Sequence, residues 1–100
     1  MPSDTRRIVT IICESILESP LCDELIELGA TGYTVTNARG SGSRGKRSAR
    51  WETSGNVRIE VICNAEIAAR VKTHVHDKYY ENYAVVLFEI EGVVLRPDKF

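Results

Sequence analysis

One hundred residues leave room for one domain and one modest core, and a composition 43% hydrophobic and 27% charged is that of a soluble globular chain. No stretch approaches the roughly 20 apolar residues that cross a bilayer. The net charge of −1 conceals an asymmetry: residues 39–50 carry Arg39, Arg44, Lys46, Arg47 and Arg50 with no acid, so +5 sits there and −6 elsewhere. Positive charge gathered in one short stretch points to an anionic partner at that stretch, whereas a globally basic surface would suggest a nucleic-acid coat.

Taken in chain order, the N-terminus is polar and the first apolar run, Ile8 to Cys13, has only a strand's length, so no secretory leader is expected. Arg6 to Glu14 reads as that strand, short, β-branched and apolar. Ser19 and Pro20 predict a helix start, Ser19 capping the free amides and Pro20 taking the first helical position. Leu21, Leu25 and Leu28 follow at helical spacing with Cys22 and Ile26 beside them, and Gly29 closes the helix. Gly32 to Arg39 is a second strand, and residues 40–55 are a loop. Val57, Ile59, Val61 and Cys63 alternate with Arg58, Glu60 and Ile62 as a third strand. Asn64 caps a second helix with a buried stripe of Ile67, Val71, Val75 and Tyr79. Ala84 to Ile90 is a fourth strand, and Val93 to Leu95 a short fifth piece after Gly92.

The order β-α-β-β-α-β predicts an α+β, ferredoxin-like fold, a four-stranded antiparallel sheet with two helices on one face. Residues 1–100 form one domain. The first and last core strands are apolar on both faces, with Ile8, Val9, Ile11 and Ile12 in one and Val85, Val86, Leu87 and Phe88 in the other. The sheet face without helices would therefore expose an apolar surface, which predicts an oligomer packed through it. Cys13, Cys22 and Cys63 are odd in number, lack C-x-x-C spacing and lie in apolar segments. They read as reduced core thiols of a cytoplasmic protein, and no metal site is expected.

The segment Gly40-Ser41-Gly42-Ser43-Arg44-Gly45-Lys46-Arg47-Ser48 carries the chemistry. Gly40, Gly42 and Gly45 match G-x-G-x-x-G, but that fingerprint must open a helix, and here polar loop and then a strand follow. The P-loop pattern fails too, because Arg47 stands where Ser or Thr would hold magnesium. Glycine amides that curl around an anion, with arginine forks beside them, still suit phosphate. One reading makes this a phosphate-binding loop with Ser43, Arg44 and Arg47 on the anion; the other makes it a solvated surface loop, and composition does not decide between them.

Elsewhere the residues read more plainly. His74 and His76, two apart on a helix, point different ways and belong to a solvated face. Trp51 stacks on a base, docks on a neighbouring subunit or simply packs. Glu60 faces away from the Val57/Ile59/Val61 row, as a surface carboxylate or one that orients a ligand. No Ser/His/Asp, Cys/His or paired-carboxylate arrangement argues for catalysis.

Leu28-Gly29-Ala30-Thr31-Gly32-Tyr33-Thr34-Val35-Thr36, running into Gly40-x-Gly42, resembles the passage into the T-loop of PII signal-transduction proteins. Val57-Arg58-Ile59-Glu60-Val61 resembles the strand that returns from it. The loop lacks the modifiable tyrosine of nitrogen-regulatory PII proteins, and Asp77 to Ala84 has no glycine where those proteins carry a second phosphate loop. Gly42-Ser43-Arg44, Arg47-Ser48, Asn56-Val57 and Tyr83-Ala84 are similar instead to the carbon-side PII-like proteins, SbtB-type and carboxysome-associated.

The resemblance implies a homotrimer with an adenine nucleotide (ADP, ATP or AMP) between adjacent subunits. Thr34 and Glu60 would lie near the adenine or ribose, and Gly40, Gly42, Ser43, Arg44 and Arg47 near the phosphates. Arg44 and Arg47 would also receive bicarbonate. It further implies a non-enzymatic regulator of inorganic-carbon uptake or carboxysome-linked metabolism, with a bicarbonate transporter or carboxysome-associated protein as partner. Two other readings are a CutA-like trimeric metal-tolerance protein, which leaves the arginine-rich loop unexplained, and a nucleic-acid-binding module, for which the strands offer mainly Tyr33 and Phe88 as stacking aromatics.

Overall fold

The computed structural model describes residues 4–42, 45–46 and 55–100. Strand β1 (Thr5–Glu14) leads through a 3-10 turn (Ser15–Leu17) into α1 (Glu18–Glu27). Strand β2 (Thr34–Ala38) follows, then two short strands, β3 (Ser41–Gly42) and β4 (Gly45–Lys46). Strand β5 (Asn56–Cys63), helix α2 (Ala65–Tyr79), strand β6 (Val86–Val93) and a 3-10 turn (Pro97–Lys99) complete the order.

β2, β5, β1 and β6 form one sheet in that spatial order, with every neighbouring pair antiparallel. β5 is thus inserted between β1 and β2, and β1 between β5 and β6, giving two interlocked β-α-β units, the expected ferredoxin-like α+β fold.

Period-two alternation divides each central strand between two faces. Val9, Ile11 and Cys13 of β1 and Val57, Ile59, Val61 and Cys63 of β5 are buried beneath Leu21, Cys22 and Leu25 of α1 and Ala68, Val71, Val75 and Tyr79 of α2. Removing each aliphatic side chain of this set from water contributes about 1.5–3 kcal/mol. All three cysteines are buried thiols, with no disulfide among them. The alternate residues, Ile8, Thr10 and Ile12 of β1, Arg58, Glu60 and Ile62 of β5, and Val86, Phe88 and Ile90 of β6, share the face that carries no helix.

The helix ends follow local chemistry, with one displacement. Asn64 caps α2 as expected, its Oδ1 accepting from the Ile67 amide at 2.9 Å. Gly29 ends α1 with φ at 111°. Its amide donates to the Ile26 carbonyl, and the Ala30 amide to the Leu25 carbonyl, at 3.0 Å each, the paired bonds of a Schellman ending. The start of α1 is earlier than Ser19 and Pro20 suggest: the 3-10 turn buries Leu17, and no side chain caps the helix. Pro20 is the third helical residue, still within the turn whose amides lack intrahelical partners.

Two further expectations are corrected. Ile26 is 48% exposed, because the buried stripe of α1 runs through Leu21, Cys22 and Leu25, and Ile26 lies about 100° further round. Gly92 does not end the last strand: β6 runs through it to Val93, pairing Gly92 with Arg6 and Thr5 with Val93, so no separate fifth piece forms. A Cβ on Gly92 would stand 2.6 Å from Ile8 Cδ1.

Candidate functional site

The open sheet face has two halves. On β1 and β6 it is apolar: Ile8 pairs with Ile90 and Ile12 with Val86, with Phe88 opposite Thr10, and Val86, Phe88 and Ile90 are exposed. On β2, and on β5 as far as Glu60, it is largely polar, with Ile62 opposite Ile8 joining the apolar half. Thr34 stands opposite Glu60, Thr36 opposite Arg58 and Ala38 opposite Asn56. The row containing Thr34 and Glu60 continues through Thr10 to Phe88, so the polar half meets the apolar half at Thr10.

Thr34 is exposed on an edge strand. Glu60 is half-buried, and its Oε2 accepts from Arg58 Nη2 at 3.0 Å. These two sequence-selected residues, 26 apart in the chain, become direct cross-strand partners. Their row faces away from the helices because Val35, Ile59 and Val61 occupy the buried alternation.

The chain leaves this ladder at Ala38 and rejoins it at Asn56. Arg39 and Gly40 are exposed at the departing end, and a Cβ on Gly40 would meet nothing within 4 Å. At the returning end Gly55 has φ at 72°, and its carbonyl accepts from the Ser15 amide at 3.1 Å, tying the end of the excursion to the junction of β1 and α1. Within it, Ser41 pairs with Lys46 and Gly42 with Gly45, a two-residue antiparallel ladder that the sequence pattern did not reveal. Ser43, Arg44, Arg47 and Trp51 lie outside the described residues.

A second polar centre, missed in the sequence, joins the helices. The side chain of Glu24 on α1 is 13% exposed. It accepts from the Tyr79 hydroxyl at 2.8 and 3.0 Å and from Lys78 Nζ, and its Oε1 lies 2.6 Å from His74 Nε2. An ionised carboxylate only accepts, so His74 carries its proton on Nε2 here. Burial pushes the Glu24 carboxyl up, but the bonds from Lys78, His74 and Tyr79 outweigh it and hold the group below the usual range. Burial and the same carboxylate push the Tyr79 phenol up to about 12. His74 is therefore part of the α1–α2 seam, which corrects its reading as a solvated residue; His76 is exposed beside Asp77. Among the described residues, no three His, Cys, Asp or Glu side chains cluster so as to hold a metal ion, and no helix is long and apolar enough to cross a membrane.

Comparison with known proteins gives this geometry a family. The model of the nitrogen regulatory protein P-II family matches residues 6–99. A Thermus thermophilus protein described as PII-like in signalling is 43% identical, with 96% of this chain and 95% of that one aligned at a TM-score of 0.82. CPII of Thiomonas intermedia, a nitrogen regulatory PII-like protein solved with ADP, AMP and bicarbonate, is 24% identical over 96% of this chain and 93% of its own, at 0.83. GlnK of B. subtilis, solved with ATP, is 17% identical over the whole of both chains, at 0.62. The two lower identities speak for the fold, while the family model and the Thermus relative speak for descent: the chain belongs to the P-II family, as a PII-like signalling protein.

Proposed function

We propose that this chain is a non-enzymatic P-II-type regulator that senses an adenine nucleotide (ADP, ATP or AMP) together with bicarbonate, and that it governs inorganic-carbon uptake or carboxysome-linked metabolism. In this reading residues 1–100 are one cytoplasmic domain, and three copies pack through the apolar half of the open face. The nucleotide lies between adjacent subunits. Thr34 and Glu60 take the adenine or ribose, Gly40, Gly42, Ser43, Arg44 and Arg47 take the phosphates, and Arg44 and Arg47 receive bicarbonate.

The observation that carries the reading is the register that sets Thr34 opposite Glu60 at the foot of the basic excursion. A hydroxyl that donates or accepts and a carboxylate that accepts suit the polar edge of a base or sugar. The stretch with five cations begins one residue beyond the ladder, where phosphates joined to that sugar would extend. The polar half borders the apolar half, so a site there lies at the rim of the surface that a second copy covers. CPII, of the same fold and solved with ADP, AMP and bicarbonate, supports the choice of ligands.

Regulation follows from charge. Bound phosphates neutralise the cations of the loop and alter the surface it offers to a transporter or carboxysome-associated protein, so that ligand occupancy selects the partner-binding state. Titration of ADP into Arg44→Ala and Arg47→Ala tests the phosphate assignment. Each variant should lose about 1–3 kcal/mol of binding, the worth of a charge-assisted hydrogen bond, and unchanged affinity in both overturns it.

A further inference from the structure

Arg58 is a cation of the open face that lies outside the basic loop. Its Nη2 is 3.0 Å from Glu60 Oε2, its side chain is 44% exposed, and its cross-strand neighbours are Thr36 on β2 and Ile12 on β1. Along the β2–β5 ladder the rows run toward the loop as Thr34/Glu60, then Thr36/Arg58, then Ala38/Asn56. Successive rows are two residues apart, about 6.8 Å in an antiparallel pair.

The inference drawn from this order rests on the function proposed above. A nucleotide with its base or ribose on the first row and its phosphates toward Gly40 must run across the second row. A guanidinium there faces the junction between sugar and phosphate and has the planar fork that phosphate oxygens fit. The apolar neighbours Ile12 and Val86 occupy the same row on β1 and β6. An assembly that covers them also draws Arg58 and Glu60 away from water. Such a pair is tolerated when its remaining donors find acceptors. Glu60 engages one Arg58 nitrogen in this structure, and Arg has five N–H donors to satisfy.

We propose that Arg58 binds the phosphate nearest the ribose, that Glu60 holds its guanidinium in position for that contact, and that Arg58 is thereby the residue that distinguishes a nucleotide from a nucleoside. Thr36, its partner across the ladder, offers a hydroxyl to the same phosphate.

The test compares wild type, Arg58→Gln and Arg58→Lys for binding of ADP and AMP by calorimetry and of adenosine by NMR titration, with mass and melting temperature recorded for each. Arg58→Gln, whose amide can still donate to Glu60, should weaken ADP and AMP about tenfold, change adenosine binding far less, and be partly rescued by lysine, the affinities being compared on species of wild-type mass. Equal losses for adenosine and AMP would make Arg58 a residue of the base end or of the fold and overturn the proposal. Unchanged AMP affinity in Arg58→Gln beside a wild type that binds also overturns it, and it alone. A wild type that binds none of the three overturns the proposed function and takes this inference with it.

Discussion

Tyr79 donates its hydroxyl to both oxygens of the Glu24 carboxylate, at 2.8 and 3.0 Å, joining α2 to α1 across 55 residues of sequence. The bond favours the neutral phenol and the ionised carboxylate together, so the seam has a stability window bounded at both ends of the pH scale.

At the acid end, Glu24 is held below its usual 4.5 in the fold. Its contribution is complete above that value and is lost as the pH falls below it, through the folded-state pKa. At the alkaline end, the Tyr79 phenol is raised from 10 to about 12. Its contribution is complete below pH 10 and is lost as the pH rises toward 12. Tyr79→Phe should cost about 1.5–3 kcal/mol at pH 7–9, the worth of a hydrogen bond to a charged group. Urea unfolding at a series of pH values should show that difference shrinking between pH 10 and 12; a constant difference would contradict the bond.

Helix ends supply a second prediction. Asn64→Ala removes the acceptor of the Ile67 amide and should cost about 1 kcal/mol. Gly29→Ala places a side chain at φ 111° and should cost about 1–2 kcal/mol. A Cβ at Gly29 would stand 3.4 Å from the side chain of Ile67, whose amide Asn64 caps. The two sites thus share a partner, and in denaturant melts the double variant should depart from the sum of the single effects by about 0.5 kcal/mol or more.

The apolar half of the open face gives the third. Phe88→Asp sets a carboxylate in the row that already contains Glu60, and burying an unpaired charge beneath a second subunit costs several kcal/mol. Wild type should sediment at three times the monomer mass and the variant as a monomer with an unchanged circular dichroism spectrum. A monomeric wild type, or a variant that remains trimeric, would refute packing through this face.

Much of this was legible in the residues because it depends on near neighbours in the chain. Period two in Val57 to Cys63 picked the buried row of β5. It also put Glu60 on the other face, and the Asn64 cap and the Gly29 ending needed only their own turns. What escaped depends on distant partners. His74 reads as solvated until the fold brings Glu24 to it from 50 residues away. Gly92 looks like a strand end until Arg6 pairs with it. Pro20 marks a helix start only if the turn at Ser15–Leu17, which tucks Leu17 into the core, is overlooked. At the site, the resemblance selected Thr34 and Glu60, whereas their juxtaposition comes from a register that no local pattern encodes.

Calorimetric titration of the wild-type protein with ADP, ATP and AMP, each with and without bicarbonate, decides whether this chain is a nucleotide sensor. Saturable binding near one nucleotide per subunit, with an affinity that bicarbonate alters, is the result expected of such a sensor. Absence of binding under every condition would contradict that role, leaving a P-II family member without nucleotide sensing and its basic loop to a macromolecular partner.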